Sequence, residues 1–330
     1  NAIVLSTLAG KDQKDSTSND DFEKHCYYNS IKNLDLKGKK IGIINETFNA
    51  KGMPQETKNL LTKAISEFEK MGAETELVSI KTIENSAAMY FIISRAEVAS
   101  NLARFDGVKY GHRSKDYSNL MSMYKNTRME GFGEVAKERI LLGNYVLSTG
   151  YNCNYYKNAK LMQNEMKKEI FDITSKYDVL FSPVAAGPAI DLGNLNASSI
   201  ELDLLDYFTS FVNLTGLPAL SIPCGFINNM PVGFQLIGKK FSEEILYKFG
   251  YQYQTLTDWH TKTPDNFWVY IFTKLLYFST LITISVLQNI GMLKKTILLI
   301  LTCINSNKIN YSQEIELIHT NMINYIKGLR

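Results

Sequence analysis

A hydroxyl that attacks a carbonyl needs a base beside it and N–H donors aimed at the oxyanion that forms. Glycine-rich loops supply those donors, because a residue without a Cβ lets the backbone come close. The 330-residue chain contains no Gly-Gly dipeptide. Its one Ser-Ser pair, Ser198-Ser199, stands in Asn-Ala-Ser-Ser-Ile with no glycine beside it, and reads as a turn or helix cap. Cys26, Cys153, Cys224 and Cys303 form no C-x-x-C pair, and His25, His112, His260 and His319 form no H-E-x-x-H. Neither a disulfide framework nor a metal site is expected, and the thiols read as free in a reducing compartment. Arg95, Arg104 and Asp106 read as braces between packed layers. Residue types alone place no catalytic triad.

The elements that could position a site are clearer. Residues 40–45 (Lys-Ile-Gly-Ile-Ile-Asn) read as a buried strand. Pro54 opens a helix whose Leu60, Leu61, Ala64, Ile65, Phe68 and Met71 follow the helical period, with Gly72 as its C-terminal cap. Residues 76–80 form the next strand, so the unit is βαβ and the sheet at least partly parallel. Helices are expected over 87–103, 135–147 and 154–175, then a strand over 178–181. Residues 219–226 and 232–237 read as a hairpin around Asn228-Asn229-Met230-Pro231. Ser242 should cap a closing helix with Glu243 and Glu244 at its positive end. A short N-terminal helix and a polar connector over 11–21 complete an α/β layer fold with a mixed sheet.

Charge argues against direct nucleic-acid binding by the body of the chain. The net charge is +3, but residues 266–330 hold six Lys/Arg and two Asp/Glu, leaving 30 against 31 for residues 1–265. After Pro264 the composition turns apolar and basic without proline. Residues 275–293 are uncharged over 19 positions, the length of a candidate membrane segment, although Gln288, Asn289 and several Ser/Thr weaken it. Two regions follow: a folded body over 1–264 and a helical, apolar tail over 265–330.

Four segments carry a resemblance. They are residues 97–111 (Glu-Val-Ala-Ser-Asn-Leu-Ala-Arg-Phe-Asp-Gly-Val-Lys-Tyr-Gly), 130–143 (Glu-Gly-Phe-Gly-Glu-Val-Ala-Lys-Glu-Arg-Ile-Leu-Leu-Gly), 212–226 and 257–264. Together they resemble the A subunits of glutamyl-tRNA(Gln) and aspartyl-tRNA(Asn) amidotransferases, in the amidase signature family. The resemblance implies that 1–264 is the C-terminal part of an amidase-signature domain, a mixed sheet flanked by helices. Its N-terminal half, which holds the family's catalytic Ser-Ser-Lys set, has no counterpart here. No catalytic residue is assigned.

The resemblance also implies a glutamine pocket. Glutamine carries a carboxylate and an ammonium, so a guanidinium fork, an acid and a hydrogen-bonding wall suit it. Arg139 in Lys-Glu-Arg-Ile-Leu-Leu-Gly matches the family's clamping arginine, Asp206 its acid and Tyr90 a pocket tyrosine. Each also has a plainer reading: Tyr90 as core aromatic, Arg139 as a surface ion pair beside Glu134 and Glu138, Asp206 as a structural cap. Glu138, Phe211, Thr215 and Ala186 depart from the family's usual residues.

The function so implied is hydrolysis of the glutamine amide, whose ammonia a B subunit uses with ATP and Mg to amidate glutamyl-tRNA(Gln). A small C subunit clasps the complex, and tRNA is met only through it. This chain is expected to bind no cofactor or metal, to be inactive alone, and to reside in the cytoplasm. Two other readings stand beside it: a fragment of another amidase-signature hydrolase, or a non-catalytic remnant tethered to a membrane by 275–293.

Overall fold

A computed structural model describes residues 1–18, 26–32, 34–148, 153–189 and 199–264. The chain divides into two units, Asn1–Lys262 and Thr263–Arg330. The expected apolar tail and the 275–293 segment lie outside the described residues. No helix among the described residues is long and apolar enough to cross a membrane.

The sheet has five strands, β1 (Lys40–Ile44), β2 (Glu74–Val78), β3 (Val179–Pro183), β4 (Ala219–Ile227) and β5 (Met230–Ile237). Their order is β2-β1-β3-β5-β4. β1 runs parallel to β2 and β3, while β5 is antiparallel to β3 and β4. β1 is apolar and buried after Lys40 because helices cover both faces of the central strands. Ile41, Ile43, Val179, Phe181, Phe234 and Leu236 turn to one core; Ile44, Leu180 and Ile237 turn to the other. The period of two thus sorts each strand between two layers.

Three short helices, α1 (Ala2–Leu8), α2 (Tyr27–Ser30) and α3 (Asn45–Phe48), precede α4 (Gln55–Lys70). α4 buries Leu61, Ala64, Ile65 and Phe68 in the first core, with Leu60 and Met71 packed at its margin. Its end follows the chemistry of glycine. Gly72 (φ +88°) donates its N–H to Glu69 O, and Ala73 N–H reaches Phe68 O at 3.1 Å, which satisfies two orphan carbonyls. A Cβ on Gly72 would be held in a left-handed conformation and lie 3.2 Å from Lys37 Cα. Gly72→Ala is expected to lower stability by about 1–2 kcal/mol, read as an earlier urea midpoint with unchanged slope.

The second layer holds α5 (Ser86–Leu102), α6 (Leu120–Gly131), α7 (Glu134–Leu147), α8 (Cys153–Thr174) and α9 (Ser199–Thr215). The α8 side chain Glu169 accepts from Lys81 N–H, Thr82 N–H and the Thr82 hydroxyl, tying α8 to the 3-10 turn Lys81–Asn85 that leads into α5. Gln235 of β5 donates its buried amide to Pro183 O and Phe208 O, which fastens α9 to the sheet. At the β4–β5 turn Asn228 (φ 50°) and Asn229 (φ 60°) take the left-handed conformations of a tight hairpin. β5 starts at Met230, so the turn is shorter than the Asn228–Pro231 stretch suggests.

α10 (Glu243–Leu256) closes the first layer with Leu246, Phe249 and Tyr253 buried. Ser242 occupies its N-cap position but does not cap with its side chain. The hydroxyl donates to Lys239 O at 2.7 Å, because a tight turn at 239–242 offers that carbonyl first. β2 begins two residues before the expected strand, and α6 and α9 have no counterpart among the expected elements.

Candidate functional site

α5 is the spine of the layer that holds the three residues singled out by resemblance. It packs against α7, α8 and α9. Tyr90 lies on α5, half-buried and packed at the edge of the second core. Arg139 lies on α7 and is exposed, with no hydrogen bond or ion pair among the described residues. Its neighbour Lys137 takes Glu134 instead, at 2.9 Å. Asp206 lies on α9 and is exposed; its backbone carbonyl accepts the Ser210 hydroxyl. The three stand on three helices that meet at α5, and no hydrogen bond or ion pair joins them among the described residues.

The helices approach closely because of two small residues. Gly143 of α7 faces Arg95 and Ala99 of α5, and a Cβ there would overlap the Arg95 carbonyl oxygen and sit 2.6 Å from Ala99 Cβ. On α9 the departures from the family pattern are absorbed locally. Phe211 is buried in the second core, and the Thr215 hydroxyl donates to Phe211 O at 2.8 Å and Val212 O at 3.0 Å. Tyr207, next to Asp206, has its phenol pushed up to about 12 by burial, then by the nearby charges of Glu84 and Glu46. It stays a neutral donor at physiological pH.

Bracing near α5 falls to residues other than those expected. Arg95 lies over the Phe91 ring at 4.1 Å and, among the described residues, its Nε is buried without a partner and Arg104 reaches only Asn101 Oδ1 at 3.4 Å. Asp106 accepts from Val108 N–H in a local turn. The loop after α5 is instead held by Arg113 and Arg128. Arg113 donates to Gly107 O and Val108 O, and Arg128 donates to Leu102 O and Phe105 O. Glu130 of α6 accepts from the buried Ser114 hydroxyl at 2.6 Å and meets His112 Nε2 at 2.7 Å. The Ser114 bond, then the His112 bond, hold its carboxyl below the usual range. These contacts bridge up to 26 positions in sequence and leave no periodic trace.

Two further features bear on chemistry. Ser199 opens α9, whereas Ser198 lies outside the described residues. Cys224 is buried and its thiol is pushed up to about 12 by burial, which keeps it protonated and inert. It borders a cavity of about 510 Å³ with Lys63, Glu67, Tyr253 and Trp259. That cavity sits on the α4–α10 side of the sheet, away from Tyr90 and its helices, and so does not join the three residues.

The fold is of the α/β class, a mixed five-stranded sheet between two helical layers. Residues 1–247 match the Amidase family, and the chain belongs to it. Among relatives, the glutamyl-tRNA(Gln) amidotransferase A subunit of Marinobacter nauticus is 41% identical over 267 residues, 80% of this chain and 54% of that protein. Its namesake from Vesicomyosocius okutanii is 42% identical over 265 residues, again 80% and 54%. The chain thus spans about half the length of the curated relatives it matches. Among solved structures, the glutamyl-tRNA(Gln) amidotransferase A subunit from Thermotoga maritima superposes with a TM-score of 0.57 at 28% identity, over 75% of this chain and 48% of that one. A 6-aminohexanoate cyclic dimer hydrolase reaches a TM-score of 0.62 at 15% identity, over 80% and 54%, which shows a shared fold alone.

Proposed function

We propose that the described residues form the glutamine-holding part of an amidotransferase A subunit, with Arg139 clamping the substrate carboxylate, Asp206 receiving its ammonium and Tyr90 forming a wall. The observation that carries this reading is the likeness to A subunits over 80% of the chain, joined to an exposed Arg139 with no partner among the described residues. A guanidinium already committed to a carboxylate would have little left for a ligand. In this reading the attacking serine, its serine relay and the lysine come from residues that this sequence does not contain. The released ammonia passes to a B subunit that uses ATP and Mg, a C subunit clasps the pair, and the assembly works in the cytoplasm. tRNA is met through the complex.

The test combines the 330-residue chain with the preceding half of an A subunit from a relative; the readout is ammonia release from glutamine. The expected result is turnover by the mixture and none by the chain alone. Arg139→Lys keeps the charge but removes the fork. It is expected to lower kcat/KM roughly 10- to 100-fold, mostly through KM, the scale of charge-assisted hydrogen bonds lost from a binding site. Turnover by the unaided chain, or an Arg139→Lys mixture as active as the unaltered one, would overturn the reading.

A further inference from the structure

Among the described residues, buried amides from two sides grip the backbone of α9, and they do so for different reasons. Gln163 of α8 donates its Nε2 to Leu214 O at 2.8 Å, in the last turn of α9, where helix carbonyls lack an N–H of their own. Gln235 of β5 donates to Phe208 O at 2.6 Å, in the body of the helix, where the Val212 N–H serves that carbonyl by the ordinary helical pattern. The same amide reaches Pro183 O at 3.0 Å, which also accepts the Ser182 hydroxyl at 3.0 Å. Neither carbonyl would be orphaned if the Gln235 amide were gone. Burying an amide carries a desolvation cost, and an apolar side chain of similar volume would fill the space as well. What the amide adds is direction: it fixes the body of α9 at one height against β3 and β5.

Asp206 lies half a turn from that point. Positions two apart on a helix are about 200° apart around it, so Phe208 is buried while Asp206 is exposed. The Asp206 carboxylate has no hydrogen bond or ion pair among the described residues. Its place is therefore inherited from the helix backbone. A second tie on this turn, from the Tyr207 hydroxyl to Glu46 O, is long at 3.4 Å, so the Gln235 amide is the tighter hold.

We propose that Gln235 is a positioning residue for the substrate pocket: by pinning Phe208 O it sets where the Asp206 carboxylate meets the ammonium of a bound glutamine. The assignment rests on the amidotransferase reading above. Gln235 then acts on binding, and on one end of the substrate alone, because Asp206 receives only the ammonium.

The test uses the full 330-residue chain complemented by the preceding half of an A subunit from a relative, with ammonia release as the readout. Two substrates are compared: glutamine, and glutaramate, the same amide acid without the ammonium. Gln235→Met keeps the volume and orphans neither carbonyl, so its urea midpoint should stay close to that of the unaltered chain. It is expected to raise KM for glutamine roughly tenfold, the scale of a misplaced charge-assisted contact. Its kcat, and its KM for glutaramate, should not change. Gln163→Met is the control: it orphans Leu214 O, so the midpoint should fall while KM for glutamine holds. Asp206→Asn should itself raise KM for glutamine, and adding Gln235→Met to it should raise KM little further, since both act through one carboxylate. An unchanged KM in Gln235→Met beside a raised KM in Asp206→Asn overturns the positioning role and leaves the amidotransferase reading standing. Equal loss on both substrates, or full additivity in the double variant, does the same. An Asp206→Asn mixture with the KM of the unaltered one overturns both.

Discussion

Gly143→Val is expected to lower the stability of the described unit by about 3 kcal/mol or more, among the largest single effects in the second layer. Gly143 is the point at which α7 touches α5, and a Cβ there would overlap the Arg95 carbonyl and crowd Ala99. The obstacle is helix backbone, so no side-chain rotation relieves it. The helices must separate, which uncovers Ile140 and Val146 along the same face. Intrinsic preference works the other way, since any residue other than glycine or proline favours a helix interior by up to about 1 kcal/mol. Overlap wins because it acts on two helices at once. Gly131→Ala provides the contrast: the nearest atom to its added Cβ is His112 Cδ2 at 3.9 Å, and the substitution should be neutral or mildly stabilising. Urea titration separates the two outcomes, and equal midpoints for Gly143→Val and the unaltered chain would show that α5 and α7 do not meet through this residue. On the proposed reading, in which Tyr90 of α5 and Arg139 of α7 hold glutamine, the same variant should also disturb glutamine binding in a complemented enzyme.

The parts of the fold that were legible in the sequence are those where one local rule decides. β1 is apolar because both faces are covered; α4 shows its stripe because one face meets the sheet; the Asn228-Asn229 turn declares itself through residues that tolerate positive φ. α6 was hidden for the opposite reason. Of its residues only Met123 and Thr127 are buried, while Leu120, Met121 and Met129 face solvent, so its apolar positions trace no stripe. Residue type alone makes Ser242 a cap, but a neighbouring turn offers its hydroxyl the Lys239 carbonyl instead.

The candidate site was legible only through likeness to a family. Arg139 in a helix flanked by Glu134, Lys137 and Glu138 has the composition of a solvated face, and nothing in the spacing separates a ligand-binding arginine from a surface one. In three dimensions Lys137 takes Glu134 and leaves Arg139 uncommitted among the described residues, the state of many surface arginines as well as of a ligand clamp. Arg113 and Arg128 show the same limit from the other side. Each donates to backbone carbonyls, which every residue has, so no partner type in the sequence could have announced them.

Phe234→Ala is expected to cost about 3–5 kcal/mol, the range for removing a buried phenylalanine. Phe234 is fully buried on β5, stacked on Phe181 at 4.8 Å and set edge-on to Tyr253 at 5.1 Å and to Phe68 at 5.9 Å. Those three rings come from β3, α10 and α4, so one side chain joins the sheet to both helices of the first layer. The loss has two parts: the transfer energy of the ring, and a cavity that four rigid elements cannot close. Domains are stable by only about 5–15 kcal/mol, so the substitution removes a large share of the total. Phe234→Leu refills part of the space and should recover a substantial part of the difference, whereas an exposed ring such as Phe171 should tolerate alanine with little change. Denaturant midpoints for Phe234→Ala and Phe171→Ala that coincide would mean the four-ring cluster does not hold the α4–α10 layer to the sheet.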